Sequence, residues 1–96
     1  KRIPGTGDLL LVWNNHAVPP ERADQRSPLH TAISRDEGQT WTNPRPVESD
    51  PDGWYCYTAI AFVGDHLLLS YCTGPRAQAL AATQITRLPI PWLYEQ

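Results

Sequence analysis

Ser34-Arg35-Asp36-Glu37-Gly38-Gln39-Thr40-Trp41 is the stretch on which the fold turns. Its residue types suit a self-contained β-turn. Asp36 carries a short carboxylate that can accept hydrogen bonds from nearby backbone N–H groups and close a turn. Gly38 can adopt φ > 0, where a Cβ clashes. Ser34 and Thr40 fit the strand ends on either side, and Trp41 is large and flat enough to fold back over the hairpin. Each residue alone is commonplace in a turn. Together, at fixed spacing, they predict a β-hairpin held by its own side chains.

Upstream, Gly5-Thr6-Gly7-Asp8 reads as a turn and Leu9–Trp13 as a buried strand. Residues 14–27 are polar and contain Pro19-Pro20, which predicts a loop. Leu29 to Ser34 predicts a second strand leading into the turn. Trp41 to Val47 predicts a third, which Pro44 and Pro46 confine to a sheet edge. Residues 48–53 are acidic and turn-rich, hence a loop. Tyr57–Val63 and His66–Tyr71 pair around Gly64-Asp65, with Val63 opposite His66. Gly74-Pro75 breaks the chain. Alanine content alone would allow a helix over 79–88, but Thr83, Ile85 and Thr86 favour a strand. Pro89 and Pro91 end it, before the short apolar closure Trp92-Leu93-Tyr94. The result is an all-β fold of about six short strands in antiparallel meanders, with residues 1–47 supplying most of one four-stranded unit and 55–94 most of another. Two such units bury limited surface, so further sheets or further copies of the chain are expected against them.

The 96 residues carry a formal charge of −2, which leaves no basic patch and argues against a nucleic-acid partner. No apolar run reaches membrane-spanning length. The start Lys1-Arg2-Ile3-Pro4 reads as a processed chain or a piece of a longer one. Cys56 and Cys72 form no metal motif. With Val63 opposite His66 they fall diagonally on neighbouring strands, which disfavours a disulfide and predicts two half-buried thiols. His16, His30 and His66 lack ligand spacing and read as surface or loop residues. No metal or cofactor is expected.

The octapeptide has the form S-x-D-x-G-x-T-W, the Asp-box (BNR) repeat of sialidases and related β-propellers. Around it, in order, stand Gly7-Asp8-Leu9-Leu10-Leu11-Val12-Trp13-Asn14, Arg26-Ser27-Pro28-Leu29, Pro44-Arg45-Pro46-Val47-Glu48, Trp54-Tyr55-Cys56-Tyr57 and Leu67-Leu68-Leu69-Ser70-Tyr71. This order resembles the C-terminal part of the sialidase (neuraminidase) family, glycoside hydrolases built as six-bladed β-propellers. The resemblance implies about two blades, the first carrying the Asp box and the second being the last of the propeller. It makes Ser34, Asp36, Gly38, Thr40 and Trp41 structural. It implies exo-α-sialidase activity, the release of terminal sialic acid from glycoconjugates. Family members use a tyrosine nucleophile, because the anomeric carbon of the substrate bears a carboxylate that repels an attacking carboxylate. A neighbouring glutamate takes the phenolic proton. Three arginines grip the substrate carboxylate, and an aspartate acts as acid and base.

Carried onto this chain, the resemblance places the third arginine at Arg26. It places the nucleophile at Tyr55, preferred because the small Cys56 follows it. Tyr57 is the alternative, two residues on and sharing the face of Tyr55 if the strand starts early. Glu48, Asp50 and Asp52 lie on the approach to this segment, and Arg76 follows the last hairpin; all read as solvated. The family pattern has a glutamate after the strand that follows the tyrosine, whereas Leu69-Ser70-Tyr71-Cys72-Thr73 contains none. The remaining arginines, the acid/base aspartate and the glutamate partner of the tyrosine would lie upstream of Lys1. The implied partner is a sialylated glycan or another acidic sugar, with no cofactor, in a secreted or periplasmic setting. The alternatives are a non-catalytic glycan-binding module, with Trp54, Tyr55 and Tyr57 as a stacking platform, and a structural propeller module.

Overall fold

The computed structural model describes residues 1–16, 26–78 and 81–96, with the side chain of Arg76 left outside that description. Six strands follow in order: β1 (Leu9–Asn14), β2 (Leu29–Ser34), β3 (Thr42–Glu48), β4 (Gly53–Val63), β5 (His66–Pro75) and β6 (Ala82–Pro89). Short 3-10 segments lie at Arg76–Gln78 and Ile90–Tyr94. Among the described residues there is no α-helix, and no helix is long and apolar enough to cross a membrane. The strands form two antiparallel three-stranded sheets, ordered β1-β2-β3 and β4-β5-β6.

The bounds of β2, the pairing of Val63 with His66 and the edge position of β3 agree with the sequence reading. The proline strand stays at the rim because proline has no N–H to give to a ladder. Other bounds shift. Glu48 closes β3 instead of opening a loop, and β4 and β5 extend to Gly53 and Pro75. Most of the expected loop over 14–27, and residues 79–80 of the expected last strand, lie outside the described residues, as does the side chain of Arg76.

The sheets enclose one core. Ile3, Leu10, Leu29 and Ile33 meet Tyr55, Leu67, Leu69 and Tyr71, with Leu93 joining them. In β5, Leu67, Leu69 and Tyr71 are buried while Leu68 and Ser70 are half-exposed, the period-two alternation of a strand with one covered face. Tyr55 and Tyr71 meet edge to face, with ring centroids 6.2 Å apart. The C-terminal 3-10 segment ties the end of the chain to the first sheet. The Asn43 side-chain amide donates to the carbonyls of Leu93 (2.7 Å) and Glu95 (2.9 Å). The Arg45 guanidinium lies 4.0 Å over the Trp92 ring and donates to the Trp92 carbonyl. Tyr94 donates its hydroxyl to Asp8 at 2.7 Å.

One irregularity in β4 decides which side chains face that core. The ladder steps from Cys56↔Cys72 to Ala59↔Ser70, so Tyr57 and Thr58 together oppose Tyr71. This is a β-bulge, and its extra residue inverts the strand's alternation. Tyr55 before it and Ile60 and Phe62 after it all contribute to the core. Tyr57 sits at φ 58° and is 79 % exposed, against 6 % for Tyr55. Two expectations are corrected by the same bulge. Tyr55 and Tyr57 do not share a face, and Cys56 stands directly opposite Cys72 instead of diagonal to it.

Candidate functional site

The Asp-box turn forms as its residue types suggest. Asp36 Oδ1 accepts from the Ser34 hydroxyl and from the Thr40 backbone N–H, both at 2.8 Å, and Oδ2 accepts from the Thr40 hydroxyl at 2.6 Å. Gly38 N–H donates to Ser34 Oγ at 2.8 Å. Gly38 has φ 88°, and the Trp41 ring lies against it. These donors, Thr40 first, lower the Asp36 pKa to about 2. The carboxylate of Glu37, also at positive φ, pairs with both Arg2 nitrogens at 2.9 Å. The turn is thus saturated by internal contacts, which suits a structural part.

The turn closes the Ser34 end of β2, whereas Arg26 precedes the Leu29 end. A strand of this length keeps the two apart by about 17–20 Å. At the Arg26 end, residues distant in sequence are stitched together. Tyr55 N–H donates to the Arg26 carbonyl at 2.9 Å. The Asn14 side-chain amide donates to the same carbonyl (3.0 Å) and to the Tyr55 carbonyl (3.1 Å). The Arg26 guanidinium carbon stands 5.4 Å from the centre of the Trp54 ring. Ser27, buried, donates its hydroxyl to the Asp50 carbonyl at 2.6 Å, and Gly53 N–H reaches the same oxygen at 2.9 Å. Arg26 and the aromatic segment, 28 positions apart from Arg26 to Trp54, are thus neighbours in the fold.

The two tyrosines of this segment differ. The Tyr55 phenol is packed inside, against Gly53, where a methyl group would collide with it. Burial, and then the charges of Glu48 and Asp50, push its pKa up, so its ionised form is disfavoured. Tyr57 projects outward beside it on the bulge. Among the described residues there is no enclosed pocket, and no cluster of His, Cys, Asp and Glu suits a metal ion.

Three residues carry roles that their sequence positions do not announce. Glu48 is half-buried and accepts the Tyr71 hydroxyl at 2.6 Å; Thr86 Oγ1 lies 2.7 Å from the same oxygen. Burial and this carboxylate raise the Tyr71 pKa strongly. Asn14 is the splice between the sheets just described, and its one signal is a polar residue closing an apolar strand. His30, expected at the surface, is half-buried within β2 and tilts against Trp13 with centroids 5.9 Å apart. Burial lowers its pKa, which favours neutral imidazole. Neither a protein-family model, nor a curated protein, nor a solved structure matches this chain.

Proposed function

We propose that this chain is part of an exo-α-sialidase-like glycoside hydrolase, with its two sheets as blades of a six-bladed propeller. Arg26 binds the carboxylate of a terminal acidic sugar and a tyrosine of β4 is the nucleophile. The observation that supports this most is the stacking of Arg26 on Trp54, three positions before the exposed, bulged Tyr57 in β4, at the end of β2 opposite the Asp box. Between the two tyrosines, exposure supports Tyr57. A nucleophile must reach the anomeric carbon to about 3–3.5 Å. Tyr57 is open to an incoming ligand while Tyr55 is packed in the core. The nucleophile is therefore assigned to Tyr57, the alternative in the sequence reading, and Tyr55 becomes the packing residue beneath it. The unusual φ of Tyr57 fits this role, since strained backbone concentrates where a side chain must be aimed.

In this reading Arg26 holds the sugar carboxylate and the Tyr57 oxygen attacks the anomeric carbon; the glycosidic bond breaks, and its oxygen leaves with the aglycone, protonated by the acid/base aspartate on another part of the propeller. The phenolic proton passes to a carboxylate on another part of the propeller. The test is turnover of a fluorogenic sialoside by the full-length protein. Tyr57→Phe should abolish turnover and preserve binding, and Arg26→Lys should weaken binding, because an ammonium cannot make the paired contact. Unchanged turnover in Tyr57→Phe would sink the assignment. The exposure of Tyr57 beside the aromatic Trp54 in β4 favours a second reading, a glycan-binding module in which Trp54 and Tyr57 stack against sugar rings. Its mark would be sialoside binding without turnover in the parent, lost in Trp54→Ala.

A further inference from the structure

We propose that Cys56 and Cys72 are an oxidisable dithiol, a modification site at which a small-molecule disulfide closes a cross-strand link and locks the bulge of β4. The inference stands on strand register and not on the proposed function. Both cysteines are free thiols and half-buried, so a small reagent can reach them. They are direct partners across the β4–β5 ladder. Direct partners hold their Cα atoms about 4.5–5.5 Å apart, inside the roughly 4.4–6.8 Å that a disulfide spans. The Trp54 indole N–H donates to Cys56 Sγ at 3.2 Å, which limits the rotamers open to that sulfur.

The bulge creates this pairing. Extending the Val63↔His66 register without interruption would set Cys56 against Thr73 and Tyr57 against Cys72. A link between the two sulfurs is therefore compatible with the bulged register and opposes the slipped one. Slippage by one residue would also turn Tyr55 out of the core, because alternation reverses with register. Oxidation thus holds Tyr55 inside.

With oxidised glutathione as the oxidant, one protein thiolate attacks a glutathione sulfur. The glutathione S–S bond breaks and the first glutathione leaves as a thiolate. The second protein thiolate then attacks the mixed disulfide and expels the other glutathione. Each protein thiol gives up one proton and each departing glutathione takes one. The protein is oxidised by two electrons and oxidised glutathione is reduced to two thiols.

The experiment treats the full chain with oxidised glutathione, without denaturant, and follows intact mass, alkylation and amide exchange. The expected product is a monomer lighter by two hydrogens, with both cysteines closed to iodoacetamide and one cross-linked peptide pair. In that product, amide exchange around residues 56–59 and 70–72 slows by about tenfold or more. Cys56→Ser and Cys72→Ser, which keep the side-chain size, should show no slowing. Glutathione adducts on both cysteines, intermolecular dimers alone, or a link that leaves exchange unchanged would each overturn the proposal.

Discussion

Tyr71 of β5 donates its hydroxyl to the carboxylate of Glu48 in β3, a 2.6 Å bond that joins the two sheets across the core. Tyr71 is 1 % exposed, so its oxygen has few other partners. Tyr71→Phe keeps the ring but leaves the carboxylate without its donor. Loss of about 1–3 kcal/mol is expected, the cost of a buried polar group left unpaired. A urea titration of wild type and variant measures it; equal midpoints would show that Glu48 finds water instead.

The same bond has an alkaline signature. The folded state holds the Tyr71 proton more tightly than the unfolded state, whose phenol titrates near 10. The corresponding stability is complete below that pH and is lost as pH rises beyond it. Melting temperature should fall more steeply above about pH 10 in wild type than in Tyr71→Phe. Tyr55 and Tyr94 are also shifted upward, so the variant should flatten the decline without removing it.

Asp36 gives the opposite sign at acid pH. Its folded pKa, at about 2, lies below its ordinary value of 3.8. The stability it contributes is present above the ordinary value and is lost as pH falls from there towards the folded one. Asp36→Asn should lower the melting temperature at neutral pH and flatten its dependence between those two values. A parallel acid limb in wild type and variant would show that the turn does not depend on the charged form.

The Asp box was readable in the sequence because all its donors and acceptors lie within seven consecutive positions, from Ser34 to Thr40. The same holds for the Gly64-Asp65 hairpin, whose register follows from a two-residue turn. The proximity of Arg26 and Trp54 was not readable; the side-chain amide of Asn14 that ties the Arg26 and Tyr55 carbonyls together acts over a long range in sequence. The bulge at Tyr57-Thr58 was not readable. A strand with one extra residue has the same composition as a strand without it, and the defect exists only in the pairing with β5. For that reason the sequence could nominate Tyr55 and Tyr57 together and could not say which is buried. Glu48 was obscured by its neighbours Asp50 and Asp52, since an acidic run reads as solvated until Tyr71 is placed against one member.

Gly53 and Gly38 should respond to alanine for different reasons. A methyl at Gly53 collides with the Tyr55 phenol. Displacing a packed core ring should cost about 1–3 kcal/mol and change the near-ultraviolet circular dichroism. At Gly38 the neighbours lie at ordinary contact distance, 3.8 and 3.9 Å, but φ is 88°. The cost there is conformational, about 1–2 kcal/mol, with the aromatic spectrum retained. A spectral change in Gly38→Ala and none in Gly53→Ala would reverse this assignment.

Under the proposed function, Tyr57 should separate stability from activity. At φ 58° it holds a backbone conformation that an L-residue adopts at a penalty, and its side chain, 79 % exposed, repays little by burial. Glycine removes the penalty of about 1–2 kcal/mol, and its greater freedom in the unfolded chain takes back about 0.5–1, leaving a net gain of about 0.5–1 kcal/mol. Tyr57→Gly should therefore raise the urea midpoint while abolishing sialoside turnover in the full-length protein. Tyr57→Phe should abolish turnover and leave the midpoint unchanged. A residue kept for packing would behave otherwise, since its removal would lower stability and spare turnover. Opposite signs in the two assays are what a strained residue retained for chemistry produces, and a drop in stability for Tyr57→Gly would show that the bulge is held by the tyrosine ring itself.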